Sequence, residues 1–170
     1  MEYIARKINQ ARWEPASYDK EGIRADALKC LVTRGDSLSF WECHATVEDM
    51  EETALAVAGG MDHVQPFDLV LIKKARLTEM SHDNTPGATA VADLRDRHLD
   101  YKQLNVDHIH KLAGAIAKQV RQRQPTRIRR FRRDEILGLL DRAIQTGRLQ
   151  VEDLTDDVRK HFDSGHNLHK

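Results

Sequence analysis

Between Ser37 and Ile72 the residue pattern switches from period two to a helical period and back to an apolar run. This order of periods restricts the fold more than any other stretch. Leu38, Phe40 and Glu42 alternate with Ser39, Trp41 and Cys43. Aromatics fall on both faces of that strand, so both faces are expected to be covered. Thr46 then stands as an N-cap with Asp49 three residues on, as in a capping box. Val47, Met50, Ala54 and Val57 form the apolar stripe of the helix that follows. Glu48, Asp49, Glu51 and Glu52 crowd its first turns, where carboxylates favour the helix dipole. Gly59-Gly60 stops it, and Phe67 to Ile72 is short and apolar enough for a second strand. Strand, helix and strand predict a βαβ unit with a right-handed crossover.

The flanks are read from this centre. Tyr3 to Ile8 is a further strand, Arg12 to Gly22 a loop by composition, and Asp26 to Val32 a short helix. Residues 1–75 therefore make a small mixed α/β module. Residues 76–104 fit neither period and contain the turn-forming run Ser81 to Ala88, so they are expected to be a loop or linker and a domain boundary. Asn105 caps a helix from Val106 to Arg121 with the stripe Val106, Ile109, Ala113, Ile116 and Val120. A second helix runs from about Arg133 to Thr146, and a third carries Val151, Leu154, Val158 and Phe162. The tail from Ser164 to Lys170 is expected to fray. The expected class is α+β: a βαβ-containing N-terminal module followed by a helical C-terminal region, residues 105–170, with three helices.

Composition bounds the function classes. The chain has 170 residues, with 27 basic and 27 acidic side chains and no net charge, so any attraction to nucleic acid must be local. No run approaches the ~20 apolar residues of a membrane span, and no membrane partner is expected. The first residues lack a signal-peptide pattern. Cys30 and Cys43, each in an apolar segment, read as reduced core cysteines, which places the protein in the cytoplasm.

Positive charge is nevertheless concentrated. From Lys118 to Arg133 there are eight cations and no carboxylate, and seven of them are Arg121, Arg123, Arg127, Arg129, Arg130, Arg132 and Arg133. The last four fall at or just before a helix N-terminus, the end that already carries about half a positive charge. A phosphate there would reverse the penalty by accepting free N–H groups and guanidinium forks together. Only Phe131 interleaves with the arginines, which argues against a base-stacking platform and for contact with the backbone of DNA or RNA. The segment around Pro125 does not make a helix-turn-helix. Two readings compete. The acidic Glu152, Asp153, Asp156 and Asp157 of the last helix would fold back and neutralise the run, or the run would be a solvated connector.

Catalytic chemistry has weaker support. His108 and His110, two apart on a helix, cannot share an ion. His82, Asp83, His98, Asp100 and Asp107 would have to converge through the irregular region 81–108 to serve a small metal-dependent hydrolase. His161, His166 and His169 sit near the terminus. Cys43 and His44 are strand neighbours that point apart, Ser81-His82-Asp83 is a triad in name only, and no phosphate-binding glycine loop follows a strand. No cofactor and no metal site is expected. Trp13 and Tyr18, in a loop, and Trp41 are candidate partner anchors or cover for a sheet face. The function expected is a non-enzymatic accessory or regulatory subunit. Its N-terminal module would hold a protein partner or a second copy, and the Arg121–Arg133 segment an anionic partner, nucleic-acid backbone before protein. The alternatives are a protein–protein adaptor with internally neutralised arginines, and the hydrolase.

Overall fold

A computed structural model describes residues 1–15, 22–87 and 89–163. Tyr18, His166, His169 and the tail from Ser164 to Lys170 lie outside them. The strands are β1 (Tyr3–Ile8), β2 (Leu38–Cys43), β3 (Phe67–Lys73), β4 (His82–Asn84), β5 (His98–Tyr101) and β6 (Ile128–Phe131). The α-helices are α1 (Val47–Ala58), α2 (Val106–Gln122), α3 (Arg133–Gln145) and α4 (Asp156–Asp163). The strands form one sheet in the order β4-β5-β2-β1-β3-β6 with every neighbouring pair antiparallel. The fold is α+β.

The predicted strand-helix-strand unit is present, but its strands are not neighbours. β1 pairs with β2 on one side and β3 on the other. Those two strands are therefore parallel to each other across an intervening antiparallel one. Both sheet faces are covered. Tyr3, Ala5, Trp41, Leu69, Leu71 and Phe131 pack with Met50, Ala54, Ile136 and Leu140 of α1 and α3. Ile4, Phe40, Val70, Ile72 and Ile128 pack with Leu112, Ile116 and Val120 of α2. Two-sided burial explains why β3 reads as an unbroken apolar run. Trp13, a candidate exposed anchor, is instead 2% exposed and belongs to the α2-side core. Trp41 covers the opposite sheet face.

The stretch 76–104 is more ordered than its sequence predicts. It carries β4, a 3-10 turn (Ala92–Arg97) and β5. Strands of three and four residues are too short for alternation to emerge from their composition. The C-terminal region likewise contributes β6, so one sheet takes strands from all three predicted segments. The helix expected from Asp26 to Val32 is a 3-10 helix, Ala25–Leu31. The last helix starts at Asp156, after a separate 3-10 turn at Val151–Asp153. Val47 and Val106, assigned to apolar stripes, are 50% and 82% exposed. Each is the first residue of its helix.

The acidic start of α1 is tied down on both sides. Thr46 Oγ1 accepts from the Asp49 N–H at 3.2 Å. The Asp49 carboxylate accepts from the His44 N–H and from Arg97 Nη1 at 2.6 Å. Burial pushes the Asp49 carboxyl up, but these two donors outweigh it and hold it below the usual carboxylate range. A lowered folded pKa means the stabilisation is present above the unfolded value near 4 and is lost as pH falls through the folded one. Asp49→Asn should therefore cost about 1.5–3 kcal/mol near neutral pH. The gap in urea midpoint between variant and wild type should narrow as pH falls through the lowered range of this carboxyl. Equal midpoints at neutral pH would show that these ties contribute nothing.

Candidate anion-binding surface

The arginine run is not a connector. Its first part closes α2, where Arg121 lies exposed in the last turn and Arg123 takes the left-handed C-cap position (φ 47°). Its N–H donates to Gln119 O at 3.1 Å. After Pro125 the chain returns as β6, the edge strand beside β3, with Arg129 opposite Leu69 and Arg130 opposite Asp68. Ile128 enters the α2-side core and Phe131 the α1-side core. The four-residue strand is thus anchored through both faces. Arginines on an edge strand also discourage pairing with other chains.

Carboxylates of α1 and α3 meet part of the run. Arg129 Nη2 lies 2.8 Å from Glu51 Oε1 and 3.8 Å from Glu135 Oε1, and its guanidinium stands 4.7 Å above the Phe131 ring. Glu135 accepts from the Arg132 N–H at 2.9 Å and from Arg132 Nε at 3.3 Å, with Asp134 3.7 Å from the same nitrogen. Glu135 thereby places a carboxylate on the N-cap N–H of α3, beside the helix end where a phosphate would be favoured. Arg133 Nη2 reaches His161 Nε2 at 3.2 Å. Arg148 forks onto Glu52 at 3.0 and 2.6 Å and onto Asp93 at 2.7 Å, contacts that raise its pKa. The last helix is not the neutraliser. Asp156 and Asp157 pair with Arg159 and Lys160 beside them.

Neutralisation is only partial on the other side of β6, where Glu2 and Glu14 make solvent-open contacts with Lys73 and Arg123. Arg127 leaves the acidic groove and lays its guanidinium over Tyr3, 3.9 Å from the ring centroid. It also lines a cavity of about 200 Å³ with Lys73, Arg76, Lys118, Gln119, Gln122 and Gln124. Four cations and three amides wall this space, and among the described residues no carboxylate does. The contrast is with the cavity of about 270 Å³ beside α3, where Glu51, Asp134 and Glu135 face Arg129 and Arg142. A larger open cleft of about 570 Å³ adjoins the same α2–β6 turn, lined by Arg123, Arg129 and Arg130 with Gln10, Glu14, Val47, Pro125 and Ile128. There Arg123 makes a long contact with Glu14, 3.8 Å, at 74% side-chain exposure. Arg130 is exposed opposite the buried Asp68. Burial raises the Asp68 carboxyl, while the Gln10 N–H at 2.8 Å and the Arg130 charge work against the rise.

Of the histidine and carboxylate residues of the hydrolase reading, His82, Asp83, His98 and Asp100 share a sheet edge and Asp107 lies apart from it. β4 pairs with β5, placing Asp83 opposite Asp100. His98 is buried edge-on against Trp41, with Nδ1 3.0 Å from Thr85 O. Asp100 accepts from Ser39 Oγ at 2.8 Å and Thr85 Oγ1 at 2.6 Å, and Asp83 from Lys102 at 2.5 Å. Asp107 lies exposed in the first turn of α2. His108 accepts from the Asn105 N–H at 3.3 Å while Asn105 caps the His108 N–H at 2.9 Å, so it closes the α2 N-terminus. Among the described residues, no group of three or more His, Cys, Asp and Glu side chains is placed to hold a metal ion, and no helix is long and apolar enough to cross a membrane. No family model, curated protein or solved structure matches the chain.

Of the seven arginines in the run, the structure gathers Arg123, Arg127 and Arg130 about the α2–β6 turn and spends Arg129 and Arg132 chiefly on carboxylates. Lys73 and Arg76, which complete the acid-free cavity, carry no sequence signal. They are ~50 residues from Arg127 and arrive only because β3 pairs with β6. Lys118 is visible in the charge count, but only its helix position ties it to the cavity.

Proposed function

We propose that this protein is a binding subunit, not an enzyme, and that the basic surface around the α2–β6 turn holds a phosphate-bearing chain, the backbone of a nucleic acid. The observation that carries the reading is the cavity of Lys73, Arg76, Lys118 and Arg127, lined by no carboxylate among the described residues in a chain of zero net charge. Arg123 and Arg130 extend the surface along the neighbouring cleft. These groups offer forks and point charges to phosphate oxygens and no ordered row of side chains to base edges. The expected binding is indifferent to base sequence and steep in salt.

The test is a salt titration with single-stranded and duplex probes of about 20 nucleotides and unrelated sequences. If about four to six phosphates are contacted, the logarithm of affinity should fall with the logarithm of salt at a slope of roughly −3 to −5. Different sequences should lie on nearly one line. Absence of binding at about 50 mM salt would overturn the proposal.

A further inference from the structure

We infer that the Lys73–Arg76–Lys118–Arg127 cavity seats the terminal phosphate monoester of a nucleic-acid strand, a dianion, in preference to an internal phosphodiester. The inference rests on the nucleic-acid reading and names what one part of that surface recognises. It begins with charge. A phosphodiester brings one negative charge, and a monoester about −1.5 to −2 at neutral pH. The cavity gathers four cations. Glu2 lies 3.2 Å from Lys73 Nζ in a contact open to solvent, and offsets one of them in part. The C-terminal end of α2, which supplies Lys118, Gln119 and Gln122, adds about half a negative charge. An excess of more than two positive charges remains, which one diester leaves largely unmatched and a dianion matches.

Shape and hydrogen bonding agree with this. The space is about 200 Å³, room for a phosphoryl group and part of its sugar. An internal phosphate would need a path for chain on both sides. The walls come from three places: the end of β3 with the 3-10 turn Lys74–Arg76, the last two turns of α2, and the turn before β6. Arg127 is held over Tyr3, so one guanidinium is oriented before anything binds. Three side-chain amides beside four cations can supply the donors that the three oxygens of a monoester accept.

The experiment compares one mixed-sequence oligonucleotide in three forms: 5′-phosphate, 3′-phosphate, and hydroxyl at both ends, with the label placed internally. Affinities are measured by anisotropy with the full chain, and pyrophosphate is the competitor. One phosphorylated form should bind at least about 10-fold tighter than the hydroxyl-ended one, and pyrophosphate should remove that advantage. The double variant Arg76→Gln, Lys118→Gln should bring the phosphorylated form to within about 2-fold of the hydroxyl-ended one, a ratio read within one variant and therefore independent of how far its overall affinity falls. A melting temperature near that of wild type would certify its fold. Equal affinity of the three forms for wild type would overturn the inference and leave the backbone reading standing. Absence of binding by all three would overturn both. A wild-type preference that persists in the folded double variant would place the end-phosphate site elsewhere and also overturn the inference.

Discussion

Phe131→Ala should lower the stability of the protein by about 3–5 kcal/mol, the largest loss expected from any single change in the arginine run. The ring is fully buried. It stacks on Phe67 with centroids 5.7 Å apart and planes at 30°, and the Arg129 guanidinium lies over it. Truncation would remove the transfer free energy of the ring and leave a cavity between β6 and α3, bordered by Ile136, Leu139 and Leu140. It would also loosen an edge strand of four residues whose other buried side chain is Ile128. Urea unfolding should show a lower midpoint with an unchanged slope, and Phe131→Leu should lose well under half as much. A loss below about 1 kcal/mol for the alanine variant would mean that β6 is not packed as described.

That one residue shows where the sequence was legible. β2, α1 and β3 announce themselves because each is six or more residues long and repeats its period. Thr46, Asp49 and Gly59 also mark the helix ends with groups that do cap and close it. β6 has no such signal. Its two buried residues, Ile128 and Phe131, are three apart and enter opposite cores, so neither strand alternation nor a helical stripe appears. Arg129 and Arg130 between them make the segment look solvated. β4 and β5 are hidden for a related reason. His98 and Asp100 are polar residues of the covered face, satisfied by Thr85, Ser39 and Trp41, and no local pattern reveals partners that far away in sequence.

The charge pattern was legible as a sum and illegible as a partition. Counting finds the cations between Lys118 and Arg133 but not which of them a carboxylate already holds. The sequence placed the neutralising acid in the last helix, which is nearest along the chain. The structure uses Glu51 of α1, 78 residues from Arg129, because α1 and α3 pack on the same sheet face as Phe131. Sequence distance is a poor guide once a sheet has brought strands together.

The partition has a consequence for binding. Replacing Arg123, Arg127 and Arg130 together with glutamine should weaken nucleic-acid binding by roughly 100-fold or more at about 50 mM salt, and should flatten the salt slope by about two to three. Among the described residues, none of the three has a carboxylate in contact at 3.5 Å or less to leave before it meets phosphate. Replacing Arg129 and Arg132 should act differently. Both are engaged by Glu51 or Glu135, so their charge is largely compensated before any ligand arrives. That pair should change affinity by less than about 5-fold and leave the slope within about one of wild type. It should also destabilise the fold, because Glu51 would lose a partner whose side chain is only 24% exposed. The two variants thus separate charge count from charge availability. If binding followed the number of arginines removed, Arg129 and Arg132 would contribute in proportion, and the internal pairs would have to open on binding. If the triple variant bound as wild type does, the basic surface around the α2–β6 turn would not be the contact surface, and the acid-free cavity would need another explanation.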